Sequence, residues 1–392
     1  MKDFFRDFGA LYAGNALVGF IFAATGPVAI VLAIGTQGGL SEADIASWIF
    51  GSFFLNGLIS IAFSLFYRQP LVFFWTIPGS VLVGPALGHL SFPEVIGAFI
   101  ATGVLMLALG LSGWVKRCTE VAPMPIVMAM VAGVFLRFGI GLVHSVRDDF
   151  WIAAPMVFAF VFLSWSAIGK RIPPVLGALA VGVVFVLVEK KFAPDTAALF
   201  ALTPPNFYAP AFSWQAMVEL VVPLAITVLV VQNGQGFAVL TAAGHKPPMN
   251  AIAAACGVGS IAAAFTGAAS SCLTGPVNAI ISSAGEKSRH YTAAVMVGAL
   301  ALAFGAMSTF FTRLLLATPP AFIAALGGLA MLRVLQTAFS VAFGGKFALG
   351  ALVTFLVTVA DVPIFNIGAA FWGLVFGFGI SWLLERKDFG KA

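Results

Sequence analysis

The chain has 392 residues, of which 61% are hydrophobic and only 9% are charged. Because soluble domains carry about 25% charged residues, this composition excludes a soluble enzyme, a nucleic-acid-binding protein and a disordered chain. A polytopic membrane protein remains. The N-terminal segment lacks a short apolar core followed by a cleavage site, so no cleaved signal peptide is expected.

Fourteen apolar segments are candidate membrane spans, since a membrane helix needs roughly 20 apolar residues. In chain order they are 10–35, 42–67, 70–90, 93–115, 122–145, 150–168, 173–189, 213–243, 248–268, 270–285, 291–315, 318–343, 347–361 and 364–384. The third contains Pro78 and Gly79 and the tenth contains Gly275 and Pro276, which makes both poor as plain helices. We therefore predict an all-α polytopic membrane protein with short extended stretches in spans 3 and 10.

The two halves of the chain resemble each other. The glycine, alanine and leucine pattern of residues 103–110 recurs at 298–305, and the pattern of 177–185 recurs at 368–376. Seven spans in each half is an odd number, so a 7+7 repeat is inverted, as in many secondary transporters. The predicted repeats are residues 1–192 and 193–392. Their broken spans occupy equivalent places, and paired interrupted spans are the best sequence pointer to a binding site.

The basic residues indicate the orientation. With a cytoplasmic N-terminus, the outer side receives Arg147, Lys190, Lys191 and Arg313. The cytoplasmic side receives Lys2, Arg6, Arg68, Lys116, Arg117, Lys170, Arg171, Lys246, Lys287, Arg289, Lys346, Arg386, Lys387 and Lys391. This distribution is the positive-inside bias, so the net charge of +5 reflects topology rather than a polyanion-binding surface. We predict a multi-pass protein of the cell (inner) membrane with both termini in the cytoplasm.

No catalytic constellation is found in the sequence. The phosphate-binding pattern GxxxxGK[ST] is absent, and all four histidines fall at span ends or in loops. We therefore expect neither an enzyme nor an ATP-driven pump, and we predict no cofactor and no metal site. Polar groups inside spans are the remaining candidates, because they are costly in lipid and usually face a cavity or a partner.

The first polar cluster is Gln232, Asn233, Gly234 and Gln235 in span 8. Glycine lets a ligand approach the backbone closely, and each amide offers both donors and acceptors, so the cluster is a candidate substrate site. The alternative is a helix–helix contact held by amides at small residues. The counterpart in span 1 is Thr25, which precedes a Gly-Pro pair that can partly unwind the helix.

The second polar cluster lies in the two broken spans. Its candidate site residues are Phe73, Thr76, Gly79 and Ser80 in span 3 and Ser271, Thr274, Gly275 and Asn278 in span 10. Each stretch is expected to be extended and then helical from its proline, which suits the first helical turn. Two helix N-termini would then face one central cavity and attract an anion without a fixed cation. The alternative is a pair of proline kinks in packed helices.

Three charged residues fall well inside spans. Arg137 and Arg333 occupy nearly equivalent places in the two repeats. They either pair with backbone carbonyls in a structural role or form an electropositive vestibule for an anion. Glu219 lies near the outer end of span 8, where it is either interfacial or a proton carrier.

Three motifs stand out: FFWTIPGS in span 3, QNGQG in span 8 and SSCLTGP in span 10. With them, essentially the whole chain resembles the benzoate/proton symporter family, which is similar in fold to nucleobase permeases and sulfate-permease-type anion transporters. The resemblance implies a core domain of residues 10–115 plus 213–315 and a gate domain of 122–189 plus 318–384. Movement of the core past the gate would alternate access, and a homodimer through the gate domain is common among relatives.

The chain departs from the nucleobase carriers at the expected site. Those carriers have glutamates in spans 8 and 10, whereas the equivalent stretches here offer Gln232, Asn233, Gln235, Pro276, Val277 and Asn278. The absence of a carboxylate suits an anionic substrate. The resemblance thus implies a secondary transporter that imports an aromatic carboxylate, with benzoate as the leading candidate, by proton symport. A nucleobase or inorganic-anion carrier of the same fold is the main alternative, and a channel or a non-transporting scaffold is another.

The implied binding mode uses both polar clusters. The substrate carboxylate would meet the helix starts of spans 3 and 10 near Ser80, Ser271 and Thr274. The ring would lie among aromatic residues that include Phe20, Phe22 and Phe73, with the span 8 amides fixing its orientation. Glu219 is the candidate for proton coupling.

Overall fold

The computed structural model describes residues 2–115, 117, 123–166, 173–193, 202–365 and 367–389, and these residues are mostly helical. The helices are α1 Lys2–Asp7, α2 Ala10–Ala24, α3 Gly26–Gln37, α4 Glu42–Tyr67, α5 Ile77–Ala86, α6 Phe92–Ser112, α7 Met124–Asp148, α8 Phe150–Trp165, α9 Pro174–Val188, α10 Trp214–Ala242, α11 Met249–Ala264, α12 Gly275–Ile281, α13 His290–Ala306, α14 Ser308–Leu316, α15 Pro320–Ala342, α16 Ala348–Ala360 and α17 Ala369–Leu384. Two short strands are β1 Phe73–Trp75 and β2 Ser271–Leu273. The basic residues that lie outside the described residues are Lys116, Lys170, Arg171 and Lys391.

Six stretches of the described chain are long and apolar enough to cross a membrane as helices: Ala10–Gln37, α4, α6, α7, α10 and α15. The segment Lys287–Ala306 and α14 are bent by 68° at their junction and count as a seventh if they form one broken span. Shorter apolar helices are α5, α8, α9, α11, α16 and α17. The polytopic helical membrane fold follows from these elements, while the number of fourteen spans stays a prediction.

The extended stretches expected in the two broken spans are the strands β1 and β2. They pair antiparallel, with Phe73 opposite Leu273, Phe74 opposite Cys272 and Trp75 opposite Ser271. Each strand leads within one residue into a helix, α5 or α12, that has a proline in its first turn. Proline fits there because the first backbone N–H groups of a helix have no intrahelical partner. The prolines therefore begin helices, which excludes the alternative of two kinks in continuous spans.

The contacts between helices recur in matched pairs. Helix α6 packs along α11 and α4 packs along α13; likewise α8 packs against α9 and α16 packs against α17. Helices α7 and α15 make an extensive contact with each other, as β1 does with β2. If the two halves of the chain are exchanged, so that α6 replaces α13 and α4 replaces α11, the first two contacts exchange with each other, as do the next two. The α7–α15 and β1–β2 contacts are unchanged by the exchange.

Glycines bring the paired helices into backbone contact. A Cβ atom added to Gly257 in α11 would lie 2.6 Å from the backbone nitrogen of Leu107 in α6. In the matching pair, one added to Gly57 in α4 would lie 2.8 Å from the carbonyl oxygen of Gly298 in α13. Small residues at such positions are typical of helix packing in membranes, where van der Waals contact replaces the hydrophobic effect.

Candidate substrate site

A cavity of about 1120 Å³ lies beside the paired strands. One wall comes from the region predicted to be the core domain: Phe22, Ala23, Pro27, Phe74, Trp75, Ile77, Pro78, Val230, Val231, Gln232, Gly234, Gln235, Thr274, Pro276 and Val277. The facing wall comes from α7, α8, the start of α9, and α15. Exposed Met124 and Trp165, at helix ends, belong to that wall. The cavity therefore reaches the surface at the end of the molecule where α7 begins and α8 ends.

Five of the residues predicted for the site line this cavity: Phe22, Gln232, Gly234, Gln235 and Thr274. Gln232 and Gln235 are three positions apart on α10, so they share one face of the helix. The side chain of Gln235 lies directly over Gly275, where an added Cβ atom would come within 2.6 Å of it. Gly275 therefore leaves room for an amide at the start of α12.

The aromatic part of the wall includes Phe22, Phe74 and Trp75, which lie near the amides in the core region. Trp75 is only 3% exposed, and its indole nitrogen has no hydrogen-bond partner among the described residues. A buried N–H group without a partner costs free energy. The cavity wall itself combines aromatic surface with amide and hydroxyl groups.

Two predicted site residues support the strands and do not line the cavity. Asn233 accepts a hydrogen bond from the backbone N–H of Leu273 at 2.7 Å. Asn278 accepts one from the N–H of Val72 at 3.0 Å and donates to the carbonyl oxygens of Val72, at 3.2 Å, and Thr274, at 2.7 Å. Both side chains are fully buried. These two amides hold the extended backbone, whose groups need partners inside a membrane.

The two helix starts differ in their capping. In α5 the Thr76 hydroxyl accepts a hydrogen bond from the N–H of Gly79 at 3.1 Å, and Ser80 donates to the carbonyl of Thr76 at 2.9 Å. An added Cβ atom at Gly79 would lie 2.4 Å from the Thr76 side chain, so this turn is tightly packed. Helix α12 begins without a side-chain cap. Ile77, Thr274 and Pro276, at or next to the two helix starts, line the cavity.

The other predicted residues are built into the protein interior. Phe20 packs against Phe53 and Phe304. Thr25 lies at the break between α2 and α3, and its hydroxyl donates to the carbonyl of Ile21 in α2 at 2.9 Å. Phe73 is buried against Phe63 and does not line the cavity. Ser271 does not line it either, and its buried hydroxyl has no partner among the described residues. That any of these residues contacts the substrate stays a prediction.

Several cavity residues were missed because they carry no polar signal. The wall opposite the amides is formed by apolar and aromatic side chains that include Met128, Val131, Phe135 and Phe160. In the sequence they cannot be told apart from lipid-facing residues on the same helices. The polar residues of this wall are Ser164, Ser166, Thr337 and Arg333, of which only Arg333 stands out in the sequence, as a charge inside a span.

Glu219 has a histidine partner that the sequence did not indicate. It is 5% exposed, and its Oε2 atom lies 2.8 Å from Nε2 of His89. The sequence left open whether Glu219 lies at the membrane interface or carries a proton. Because its side chain is buried, it is not a freely exposed interfacial carboxylate. The two residues are 130 positions apart in the chain, so only the fold brings them together.

The family model described as benzoate membrane transport protein matches residues 5–383 of the chain. The chain belongs to the benzoate membrane transport protein family. It is therefore a membrane transporter and not an enzyme. It is 28% identical over 368 residues to the inner membrane protein YdcO of Escherichia coli strain K12, covering 92% of this chain and 93% of that one. It is 27% identical over 361 residues to the benzoate membrane transport protein of Acinetobacter baylyi, covering 90% of each.

Solved structures of anion transporters share the fold. The transmembrane domain of the cyanobacterial bicarbonate transporter BicA matches with a TM-score of 0.60 at 13% identity, covering 94% of this chain and 98% of that one. The structure of SLC26A9 matches with a TM-score of 0.67 at 14% identity, covering 95% of this chain and 65% of that one. The predicted similarity in fold to sulfate-permease-type anion transporters agrees with these matches.

Proposed function

We propose that the protein imports an aromatic carboxylate, benzoate in the first instance, together with protons across the inner membrane. The observation that carries the proposal is the cavity, whose wall combines aromatic rings with two amides, four hydroxyl-bearing residues and one arginine and, among the described residues, includes no carboxylate. Family membership supports the same substrate class, since a relative is named for benzoate transport.

The proposed binding mode follows from the chemistry of the cavity wall. The benzene ring lies between Phe22, Phe74 and Trp75, because apolar surface and offset ring contacts stabilise it there. The carboxylate accepts hydrogen bonds from Gln235, from Thr274 and from the backbone at the nearby helix starts. Gln232 contributes a further amide. Of the residues predicted from the sequence, Asn233 and Asn278 act on the substrate only through the strands.

The proposed architecture has fourteen segments in two inverted repeats. The matched helix contacts support it, as does the antiparallel pairing of the two strands. The core and gate domains are proposed to meet at the cavity, which takes residues from both predicted regions. With cytoplasmic termini the cavity opens to the cytoplasm. The homodimer through the gate domain stays a prediction.

Transport assays in proteoliposomes test the proposal. We expect labelled benzoate to accumulate when the outside is acidic, and unlabelled benzoate to compete more strongly than bicarbonate or uracil. Bicarbonate is included because a bicarbonate transporter shares the fold. Saturation with benzoate concentration would distinguish a carrier from a channel. Empty liposomes correct for passive entry of benzoic acid, and uptake no greater than theirs would contradict the proposal.

Proton coupling is proposed to use Glu219. Its carboxylate contacts His89 and lines a small cavity together with Arg137 and Asp361. Glu94, on the neighbouring helix α6, is the other carboxylate close to His89. A buried carboxylate that either contacts a histidine or carries a proton can couple proton binding to a movement of the surrounding helices.

We expect Glu219→Gln to remove the acceleration of uptake by a pH gradient while benzoate counterflow between equal pH values continues. An amide keeps the shape of the carboxyl group but cannot take up or release the proton. Glu189→Gln, at an exposed carboxylate at the end of α9, is the matched control and should retain the full response to the gradient. A Glu219→Gln protein that still responds to the gradient would exclude this residue as the proton carrier.

A further inference from the structure

Two repeat-related arginines flank the crossing of α7 and α15. The helices run antiparallel: an added Cβ atom on Gly139 would contact Leu335, and one on Gly328 would contact Leu142. Arg137 and Arg333 therefore lie close to the crossing and near the middle of their helices. A charged residue at this depth is expensive in a membrane and indicates a functional position.

The two arginines lie next to different cavities. Arg333 lines the large cavity and is the only charged residue on its wall among those described. Arg137 lines a separate cavity of about 20 Å³ together with Glu219 and Asp361. That volume holds about one water molecule, so this second cavity has no room for an aromatic substrate.

The two arginines also differ in their partners. Arg137 Nη2 lies 3.3 Å from Asp361 Oδ2, so its charge is neutralised by a carboxylate. The contact that Arg333 makes is a long one of 3.4 Å to the amide oxygen of Gln336. No carboxylate of the described chain forms an ion pair with Arg333. Its guanidinium is therefore available to an anion that enters the large cavity.

We propose that Arg333 and Arg137 attract the substrate carboxylate in turn, one on each side of the membrane. In this structure, Arg333 can attract an anion into the large open cavity, whereas Asp361 neutralises the charge of Arg137 on the closed side. When the transporter opens on the other side, the small cavity widens, Arg137 separates from Asp361, and it becomes the attracting charge there. This inference rests on the proposed function in one respect, namely that the substrate is an anion.

Sided transport measurements test this alternation. Right-side-out and inside-out membrane vesicles present opposite faces of the protein to labelled benzoate. We expect Arg333→Gln to raise the KM for benzoate about tenfold in one vesicle type and Arg137→Gln to do so in the other, since tenfold corresponds to about 1.4 kcal/mol. Arg333→Lys keeps the charge and should change the KM in either vesicle type by less than about threefold, or less than about 0.7 kcal/mol.

The outcomes separate this inference from the proposed function. If the unaltered protein transports no benzoate in either vesicle type, the proposed function fails first. If it does, but both glutamine variants raise the KM equally on the two faces, or leave it unchanged, the alternation is wrong. Asp361→Asn is a second test that leaves both arginines in place. It should lower the KM only on the face where Arg137→Gln raises it. Unchanged thermal melting of each variant shows that its fold is retained.

Discussion

Substitution of Gly234 by tryptophan should lower benzoate uptake about tenfold or more while leaving the fold intact. Gly234 lines the cavity on the same helix as Gln232 and Gln235, and an added Cβ atom there meets no atom of the described residues within 4 Å. An indole at this position extends into the space proposed for the substrate ring instead of into packed protein. We expect uptake to fall about tenfold or more, the effect of losing about 1.4 kcal/mol of binding free energy.

Two matched variants control for the substitution itself. A Cβ atom added to Gly14 in α2 also meets none of the described residues within 4 Å, and Gly14 does not line the cavity, so Gly14→Trp should retain transport. Gly234→Ala adds only a methyl group and should retain most of it. Equal loss of uptake in both tryptophan variants, or full uptake by Gly234→Trp, would contradict the proposed location of the substrate.

Replacing Asn278 by alanine should destabilise the protein by about 2–4 kcal/mol. The change leaves the buried N–H of Val72 without its partner, which costs about 1–3 kcal/mol, and adds the loss of packing around the missing amide. Since Asn278 connects the segment before β1 to the start of α12, we also expect weaker benzoate binding. Thermal melting of the purified protein in detergent measures the loss of stability.

Asn15→Ala is the matched control for this prediction. The side-chain nitrogen of Asn15 is buried without a hydrogen-bond partner among the described residues. Its removal should change stability by less than about 1 kcal/mol, because no partner is left behind. If Asn278→Ala melts at the same temperature as Asn15→Ala, the amide does not support the strands as described.

The broken spans were predictable because their signal is local. Proline is favoured in the first turn of a helix, and Pro78 and Pro276, each paired with a glycine, lie in the first turns of α5 and α12. The backbone groups of the preceding residues then have no hydrogen-bond partners within a helix. The two strands β1 and β2 provide these partners to each other. The sequence could not show which side-chain amides would complete this pairing.

Helix geometry explains why the amide cluster of span 8 divides into two roles. Successive residues are turned by about 100° around a helix axis, which places Gln232, Gly234 and Gln235 on the half of the helix that faces the cavity and Asn233 on the opposite half. Asn233 is accordingly turned towards β2. Treating the whole motif as a site overlooked this periodicity. The contact of His89 with Glu219 had no comparable local signal, because it depends on the packing of distant segments.

Ligand-induced stabilisation measures whether the cavity binds an aromatic carboxylate. A ligand that binds the folded protein stabilises it by RT ln(1 + [L]/Kd). We expect benzoate to raise the melting temperature of the unaltered protein and of Gly14→Trp, but not of Gly234→Trp, with smaller effects from uracil and bicarbonate. Equal stabilisation of Gly234→Trp by benzoate, or stabilisation of the unaltered protein by bicarbonate or uracil and not by benzoate, would contradict the proposed site.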